Sequence, residues 1–310
     1  MTKMKPTILF PLAGAAAAFL LASAAPDAEQ APPGSAEKIA AALPTEAAAK
    51  PTKARKVLVF SRTAGFRHAS IATGKLALTE LGRKTGAFEA VISDDLANFE
   101  PDRIAAFDAI VFLSTTQDVF SLPQQALQGL NEEQRKDAES RVELLRKSLM
   151  DFVKGGKGFV GIHAATDTFY NWSEYGEMVG GYFDGHPWTA DRQVSIKVEP
   201  GQERHPLASM FDGKNLDFKE EIYQFKAPYD SKKVHMLLRL DPEKTDMKLG
   251  GIKRTDKDFG VSWARSWGEG RMFYCSLGHN HDMYWHPLVL RHYLAGIQWA
   301  IGDLEAKVSR

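Results

Sequence analysis

The sequence predicts an α/β protein built on a doubly wound, mostly parallel β-sheet with additional antiparallel strands. Four short apolar runs begin after residue 55, and each is continuous enough to form a strand buried on both faces. Segments with helical spacing follow the first and third runs, as expected of parallel strands joined by crossover helices. The last two predicted strands are joined by a turn-rich segment, which favours an antiparallel pair.

The four predicted parallel strands lie at residues 56–61, 88–93, 109–114 and 158–163. Residues 71–86 and 131–154 have helical spacing, and Gly155 with Gly156 supplies a stop after the second helix. Residues 287–301 place their apolar side chains on one face, which predicts a closing helix packed on the sheet. The additional strands are predicted at residues 193–198, 234–240, 259–263 and 271–277.

Composition excludes several classes of function. The chain has 310 residues, of which 44% are hydrophobic, so it can bury one large core. Lys plus Arg and Asp plus Glu both number 39, and without a basic surface nucleic acid is not expected as a partner. The single cysteine, Cys275, excludes an intramolecular disulfide and a cysteine-rich metal site.

The N-terminal residues have the pattern of an export signal. Lys3 and Lys5 precede an apolar run at 7–21, and small residues at 22–25 offer a peptidase site. Residues 1–25 are therefore predicted to be a signal peptide of a periplasmic or secreted protein, with no stable membrane insertion after cleavage; an uncleaved anchor is the alternative. Residues 26–55 are rich in Ala, Pro, Glu and Lys and predict a disordered linker, while residues 304–310 form a C-terminal tail.

Histidines, acids and aromatics collect in the loops that follow the predicted strands. Ligands of open α/β sheets bind outside the carboxyl ends of the strands, so these loops predict a site. His68, His163 and His279 are expected to lie in one pocket at that edge, with His186 as a further candidate. The remaining five are interpreted as structural or surface-loop histidines: His205, His235, His281, His286 and His292.

Five segments, in order along the chain, resemble the ThuA family, which is named for trehalose utilisation. They are AGFRH at 64–68, GIHAATD at 161–167, GHP at 185–187, EIY at 221–223 and SLGH at 276–279. The resemblance spans residues 56–303 and implies a flavodoxin-like fold similar to class I glutamine amidotransferases. It also implies a small-molecule carbohydrate as ligand and a functional link to a sugar oxidoreductase that handles keto-sugars.

Comparison with the amidotransferases implies a different chemistry here. Their nucleophilic cysteine lies at a tight turn of the form Gly-x-Cys-x-Gly, and His163 occupies the corresponding place. His279 matches the position of their catalytic histidine, while the acid two residues later is replaced by His281. Cys275 lies inside the preceding predicted strand, without an activating environment. The chain is therefore not expected to be a glutamine amidotransferase.

The candidate residues suit proton transfer, sugar binding or metal binding. His163 and His279 are the predicted catalytic pair, with Asp167 and Glu221 as neighbouring carboxylates, because imidazole titrates near neutral pH. His68, His163 and His279 also match a metal site with an open position, although no HExxH-like motif is present. The cofactor is thus unknown, with a divalent metal such as zinc as one option. The predicted substrate-binding residues are Arg67, His68, Trp172, His186 and Tyr223.

Three functions remain open from the sequence. The first is an exported sugar-modifying enzyme that acts on a sugar or keto-sugar through acid–base chemistry by His163 and His279. The second is a carbohydrate-binding module that performs no reaction. The third is a metal-dependent hydrolase of a glycoside or ester.

Overall fold

A nine-stranded β-sheet forms the centre of the computed structural model, which describes residues 30–308. Its strands are β1 (Lys56–Phe60), β2 (Glu89–Ile92), β3 (Ala109–Leu113), β4 (Gly158–Ile162), β6 (Gln193–Val198), β7 (Leu216–Lys219), β9 (His235–Leu240), β10 (Gly260–Trp267) and β11 (Gly270–Cys275). A separate antiparallel pair is formed by β5 (Tyr182–Phe183) and β8 (Phe225–Lys226). The helices are α1 (Ser35–Ala42), α2 (Ile71–Thr85), α3 (Pro101–Ile104), α4 (Gln124–Gln128), α5 (Glu132–Lys154), α6 (Ser173–Val179) and α7 (Pro287–Ala300).

The sheet has the order β2-β1-β3-β4-β11-β10-β9-β6-β7. The first five strands in this order are parallel, and the remaining pairings are antiparallel. This confirms the predicted mostly parallel sheet with additional antiparallel strands. Strand β11 lies beside β4, so the loops after β1, β3, β4 and β11 all leave the same edge of the sheet.

Apolar side chains cover both faces of the sheet, because neighbouring residues of a strand point to opposite sides. Val57 and Val59 of β1 join the core on the face covered by α2 and α7, whereas Leu58 and Phe60 join the core beneath α5 and α6. Strand β2 differs from its prediction, since its residues are exposed or half-buried. It lies at the end of the sheet and has only one strand neighbour. The pattern did not reveal α6, β5, β7 or β8, which are short and carry mixed polar and aromatic side chains.

The segment predicted to be a disordered linker is packed on the domain over its described part. Residues 35–42 form α1, whose Ile39 is fully buried in the same core as α2 and α7. The backbone of Ala49 exchanges two hydrogen bonds with the Gln298 side chain, and Arg55 forms an ion pair with Asp303. The average composition of residues 26–55 did not predict this packing, because a few well-spaced apolar side chains are enough to dock a short helix.

Two predictions concern the chain ends, namely the signal peptide and the C-terminal tail. The predicted signal peptide and residues 26–29 lie outside the described residues. The C-terminal tail packs back on the domain, where the Trp299 indole donates to the Ala306 carbonyl and the His205 ring to that of Lys307. Within residues 30–308, no helix has the length and apolar character needed to cross a membrane.

Candidate functional site

Three histidines converge at the carboxyl edge of the parallel strands. His68 lies in the loop after β1, His163 directly follows β4, and His279 lies in the loop after β11. Their ring centroids are 4.6 to 5.3 Å apart. Glu221, which follows β7, joins them, so that one ligand atom from each of the four residues lies within 4.8 Å of the others. The structure thus brings together the three histidines that the strand-end argument selected.

His163 occupies a strained turn at the end of β4. Its φ of 54° lies in the left-handed region, which costs a non-glycine residue about 1–3 kcal/mol and persists only where the surroundings impose it. The backbone carbonyl of His163 accepts a hydrogen bond from the Tyr274 hydroxyl, 2.7 Å away. The ring Nδ1 lies 2.8 Å from the Ser276 carbonyl, and because a carbonyl only accepts, Nδ1 carries the proton. The Nε2 lone pair of the neutral ring therefore points into the cluster.

Burial keeps two of the imidazoles neutral. His68 Nε2 lies 3.1 Å from His163 Nε2, and both rings are buried. Burial and the neighbouring His279 lower the pKa of His68 to about 4. Burial and the adjacent His68 likewise hold the pKa of His163 well below its usual value. At neutral pH both rings are therefore uncharged.

Glu221 is the carboxylate that links the histidines. Its Oε1 lies 3.2 Å from His279 Nδ1 and 3.6 Å from His163 Nε2, and its Oε2 lies 3.5 Å from His186 Nδ1. Among the described residues His279 Nδ1 has no hydrogen-bond partner, so its approach to Glu221 is close in distance but poorly aligned. His186 is the most open of these rings, with 44% of its side chain exposed, and it stacks on Phe183.

The preceding residue, Glu220, holds the loop that carries His279. Its Oε1 accepts hydrogen bonds from the backbone N–H groups of Gly278 (2.9 Å) and His279 (2.6 Å), and its Oε2 accepts one from Asn280 (3.0 Å). Burial raises the pKa of Glu220 to about 8, although these three bonds act in the opposite direction. The sequence prediction missed this residue. The tandem Glu220-Glu221 was an available signal, since adjacent side chains in extended backbone point to opposite sides.

Tyr223 completes the buried wall of the cluster. Its hydroxyl lies 3.1 Å from His163 Nε2 and donates to that lone pair. Burial and the nearby Glu221 raise the pKa of Tyr223 well above its usual value, so the phenol stays protonated. The ring also packs edge-on against Phe183, with centroids 4.4 Å apart.

The sequence model of the ThuA family, described as trehalose utilisation, matches residues 56–300. The chain belongs to the ThuA family. Membership relates the protein to trehalose utilisation and so to carbohydrate metabolism, and it suggests a small-molecule sugar as the ligand. No curated protein matches the chain.

Solved structures show the same fold. A ThuA-like protein from Bacteroides uniformis is 22% identical, with a TM-score of 0.59, over 81% of this chain and 94% of that one. A ThuA-like protein from Parabacteroides merdae is 15% identical, with a TM-score of 0.52, over 81% of this chain and 91% of that one. At these identities the likeness concerns the architecture alone.

Three other predicted site residues of this ThuA-family chain make contacts outside the histidine cluster. Asp167 accepts hydrogen bonds from Tyr170 and Gln117 instead of orienting an imidazole, and burial raises its pKa. The exposed Arg67 donates to the Ser61 carbonyl. Trp172 packs against Phe169 and Tyr175 with ring centroids 5.1 and 5.8 Å apart, so its half-buried ring lies against the aromatic core beneath α5 and α6.

Two further histidines, His292 and His281, and the cysteine make structural contacts outside the cluster. The His292 ring contacts the Leu207 carbonyl and the Ser262 hydroxyl inside the core. His281 bonds Thr73 and stacks on Trp285, so its ring does not orient His279 as the acid of an amidotransferase triad would. Cys275 is buried, and burial raises its pKa to about 12, which leaves the thiol unreactive.

The spacing of the cluster fits a divalent metal ion. A metal–nitrogen bond of about 2.05 Å places tetrahedral ligand atoms about 3.3 Å apart. Three distances between ligand atoms, 3.1, 3.2 and 3.6 Å, lie close to that value, and all four ligand atoms lie within 4.8 Å of one another. The hydrogen bond from His163 Nδ1 to a carbonyl is also the outer contact that metal-bound histidines usually make. Four such residues can hold a metal that accepts a fifth ligand, which leaves a position for substrate.

Proposed function

We propose that this ThuA-family protein is an exported enzyme that acts on a sugar or keto-sugar with the help of a divalent metal ion. The metal ligands in this proposal are His68, His163, His279 and Glu221. The observation that carries it is the approach of one ligand atom from each residue to within 4.8 Å. Family membership supports the carbohydrate substrate.

The protonation states favour metal binding over catalysis by a pair of free histidines. A general acid must carry its proton at working pH, and the low pKa values of His68 and His163 leave both rings neutral. Ligand atoms that lie close together in a buried site are stabilised when a cation binds them. His163 is thus proposed as a ligand, in place of the acid–base role predicted from the sequence.

A metal held by His68, His163, His279 and Glu221 would supply Lewis-acid polarisation of a sugar oxygen. Tyr223 keeps its proton. When a metal takes the lone pair of His163, the Tyr223 hydroxyl can donate to the substrate instead. His186 connects the site with solvent, because its ring is exposed and lies 3.5 Å from Glu221. These groups suit proton transfer beside the carbonyl of a keto-sugar.

Phe66 offers a surface for the sugar ring. Its side chain is 66% exposed, and its ring packs edge-on against His68 with centroids 4.8 Å apart. The Thr116 hydroxyl donates to the Phe66 carbonyl at 2.9 Å and accepts from the Gly65 N–H at 3.2 Å, which fixes the loop. An exposed aromatic ring on a fixed loop can cover the apolar face of a pyranose at little conformational cost. Phe66 therefore takes the place that the sequence prediction assigned to Trp172.

The proposal also includes export of the protein and a source of its substrate. The lysines and apolar run of residues 1–25 support a signal peptide and a periplasmic or secreted location. A keto-sugar arises by oxidation of a hydroxyl group, so a sugar oxidoreductase would act before this enzyme. That link is the partner expected from the family resemblance.

The test combines metal titration with turnover. Purified protein stripped with a chelator is titrated with Zn²⁺, Co²⁺ or Mn²⁺ by calorimetry, and then assayed on disaccharides and their keto derivatives. We expect one ion per chain and turnover that requires it, with both lost in His163→Ala and Glu221→Gln. His281→Ala is the matched control, because this ring lies two residues from His279 but bonds Thr73.

Each other outcome counts against a stated part of the proposal. Turnover that persists without metal contradicts the metal and favours acid–base chemistry by His279 and Glu221, which lie 3.2 Å apart. Sugar binding without turnover of any tested compound contradicts the enzyme and favours a binding module.

A further inference from the structure

We propose that Glu220 is the positioning residue for His279, acting through the backbone of the loop that carries this ligand. The inference rests on the proposed metal site, because it explains how one of the metal ligands is held in place. Glu220 itself touches neither substrate nor metal in this scheme.

Three consecutive backbone amides, those of Gly278, His279 and Asn280, converge on the one carboxylate. The N···O distances are 2.9, 2.6 and 3.0 Å, and the carboxylate is fully buried. Successive N–H groups that point inward form a concave site for an anion, and here a side chain of the same protein fills it. Three hydrogen bonds tie three consecutive residues to one buried side chain, so this contact dominates the local geometry.

The loop has little freedom once these bonds form. Residues 276–280 lie outside helices and strands, so no regular ladder fixes them. Gly278 has a φ of 133°, and a Cβ added there would come within 2.7 Å of the Tyr284 hydroxyl and 3.3 Å of His163 Cβ. The Asn280 side chain also donates to the carbonyls of Ala190 and Lys219. A small shift of this loop would therefore change the distance between His279 and His163.

The short segment Glu220–Glu221 thus supplies one of the proposed metal ligands and positions another. Glu221 contributes its own carboxylate, while Glu220, on the opposite side of the backbone, holds the loop of His279. Both residues follow β7, which lies at the far end of the sheet from β2. The geometry of the site therefore depends on the antiparallel strands as well as on the parallel ones.

The test uses Glu220→Gln, which keeps the shape but replaces one acceptor oxygen with a donor. At least one backbone N–H then faces an NH₂ group. Outer contacts of metal ligands typically contribute about 10–100-fold to metal affinity, and we expect a loss of this size for Co²⁺ measured by calorimetry. The visible spectrum of bound Co²⁺ should change toward that of His279→Ala, and the double variant should bind no more weakly than His279→Ala alone.

The matched control is Tyr293→Phe. The Tyr293 hydroxyl donates to the Leu277 carbonyl at 2.8 Å, so its removal disturbs the same loop without touching the three amides. The control should keep the wild-type Co²⁺ affinity and spectrum, even if its melting temperature falls. Wild-type affinity and spectrum in Glu220→Gln, or effects of Glu220→Gln and His279→Ala that add, would overturn the inference.

A second readout separates this inference from the metal proposal. If the wild-type protein binds no Co²⁺, the metal proposal fails, and the ring ¹⁵N chemical shifts of His279 are measured in the metal-free protein. They should move in Glu220→Gln and stay unchanged in Tyr293→Phe. Unchanged shifts in Glu220→Gln would show that Glu220 does not position His279.

Discussion

The pH dependence of the free energy of unfolding tests whether His292 is buried and neutral. This ring of α7 is fully buried between Phe211 and Phe273, and burial lowers its pKa from 6.5 to about 4. Between these two values the unfolded chain binds the additional proton, so stability falls as the pH is lowered. The contribution of His292 is complete above pH 6.5 and is lost as the pH falls toward 4. Lowering the pH from 8 to 5 should remove about 2 kcal/mol through this ring alone.

The assay is urea unfolding, followed by circular dichroism, of the wild-type protein and His292→Gln at pH 8 and pH 5. The variant should be less stable at pH 8, because it loses the contacts with Leu207 and Ser262. At pH 5 the gap should narrow by about 2 kcal/mol, since glutamine does not titrate and other groups contribute equally to both proteins. An equal gap at both pH values would refute the assignment of a neutral, buried His292.

Four further outcomes follow from the structure and from the sequence. Ile39→Ala should lower the free energy of unfolding by about 2–5 kcal/mol, measured in urea, because this side chain is fully buried; no change would mean that α1 is not docked. Phe66→Ala should raise KM for the sugar substrate about tenfold and Phe66→Trp should restore it, whereas equal KM values would remove this ring from the site. Tyr223→Phe should lower kcat about 10–100-fold with metal affinity unchanged; an equal loss of affinity would point to a role in metal binding. N-terminal sequencing of exported protein should begin at or near Ala25 or Pro26, and material that begins at Met1 would contradict cleavage.

The convergence of the histidines could be predicted because it depends on topology. Parallel strands place their carboxyl ends at one edge, so residues as distant as His68 and His279 could be assigned to one site from strand order alone. The sequence could not decide whether Asp167 or Glu221 is the carboxylate that contacts these rings. Asp167 is nearer to His163 in sequence, but its carboxylate bonds Tyr170, whereas Glu221 reaches the cluster from the antiparallel part of the sheet.

The aromatic residues show a second limit of sequence interpretation. Phe66 lies within one predicted site segment and Trp172 lies shortly after another, and either ring suits a sugar. Only the tertiary packing shows that Trp172 lies against Phe169 and Tyr175 while Phe66 is exposed beside His68. The packing of Ile39 was hidden for the same reason, since burial depends on neighbours that are far away in sequence.

By itself the sequence determined the parallel core of the fold, the ThuA relationship and the four residues that meet at the site, with Asp167 left as an alternative to Glu221. Apolar periodicity and strand order carry this information, because they act over short stretches of chain or through general rules of topology. The tertiary structure alone decided which carboxylate joins the histidines, which tautomer His163 adopts and that Glu220 holds the loop of His279. Those features depend on hydrogen bonds of about 3 Å between residues 59 to 113 positions apart, and no local pattern encodes a distance of that kind.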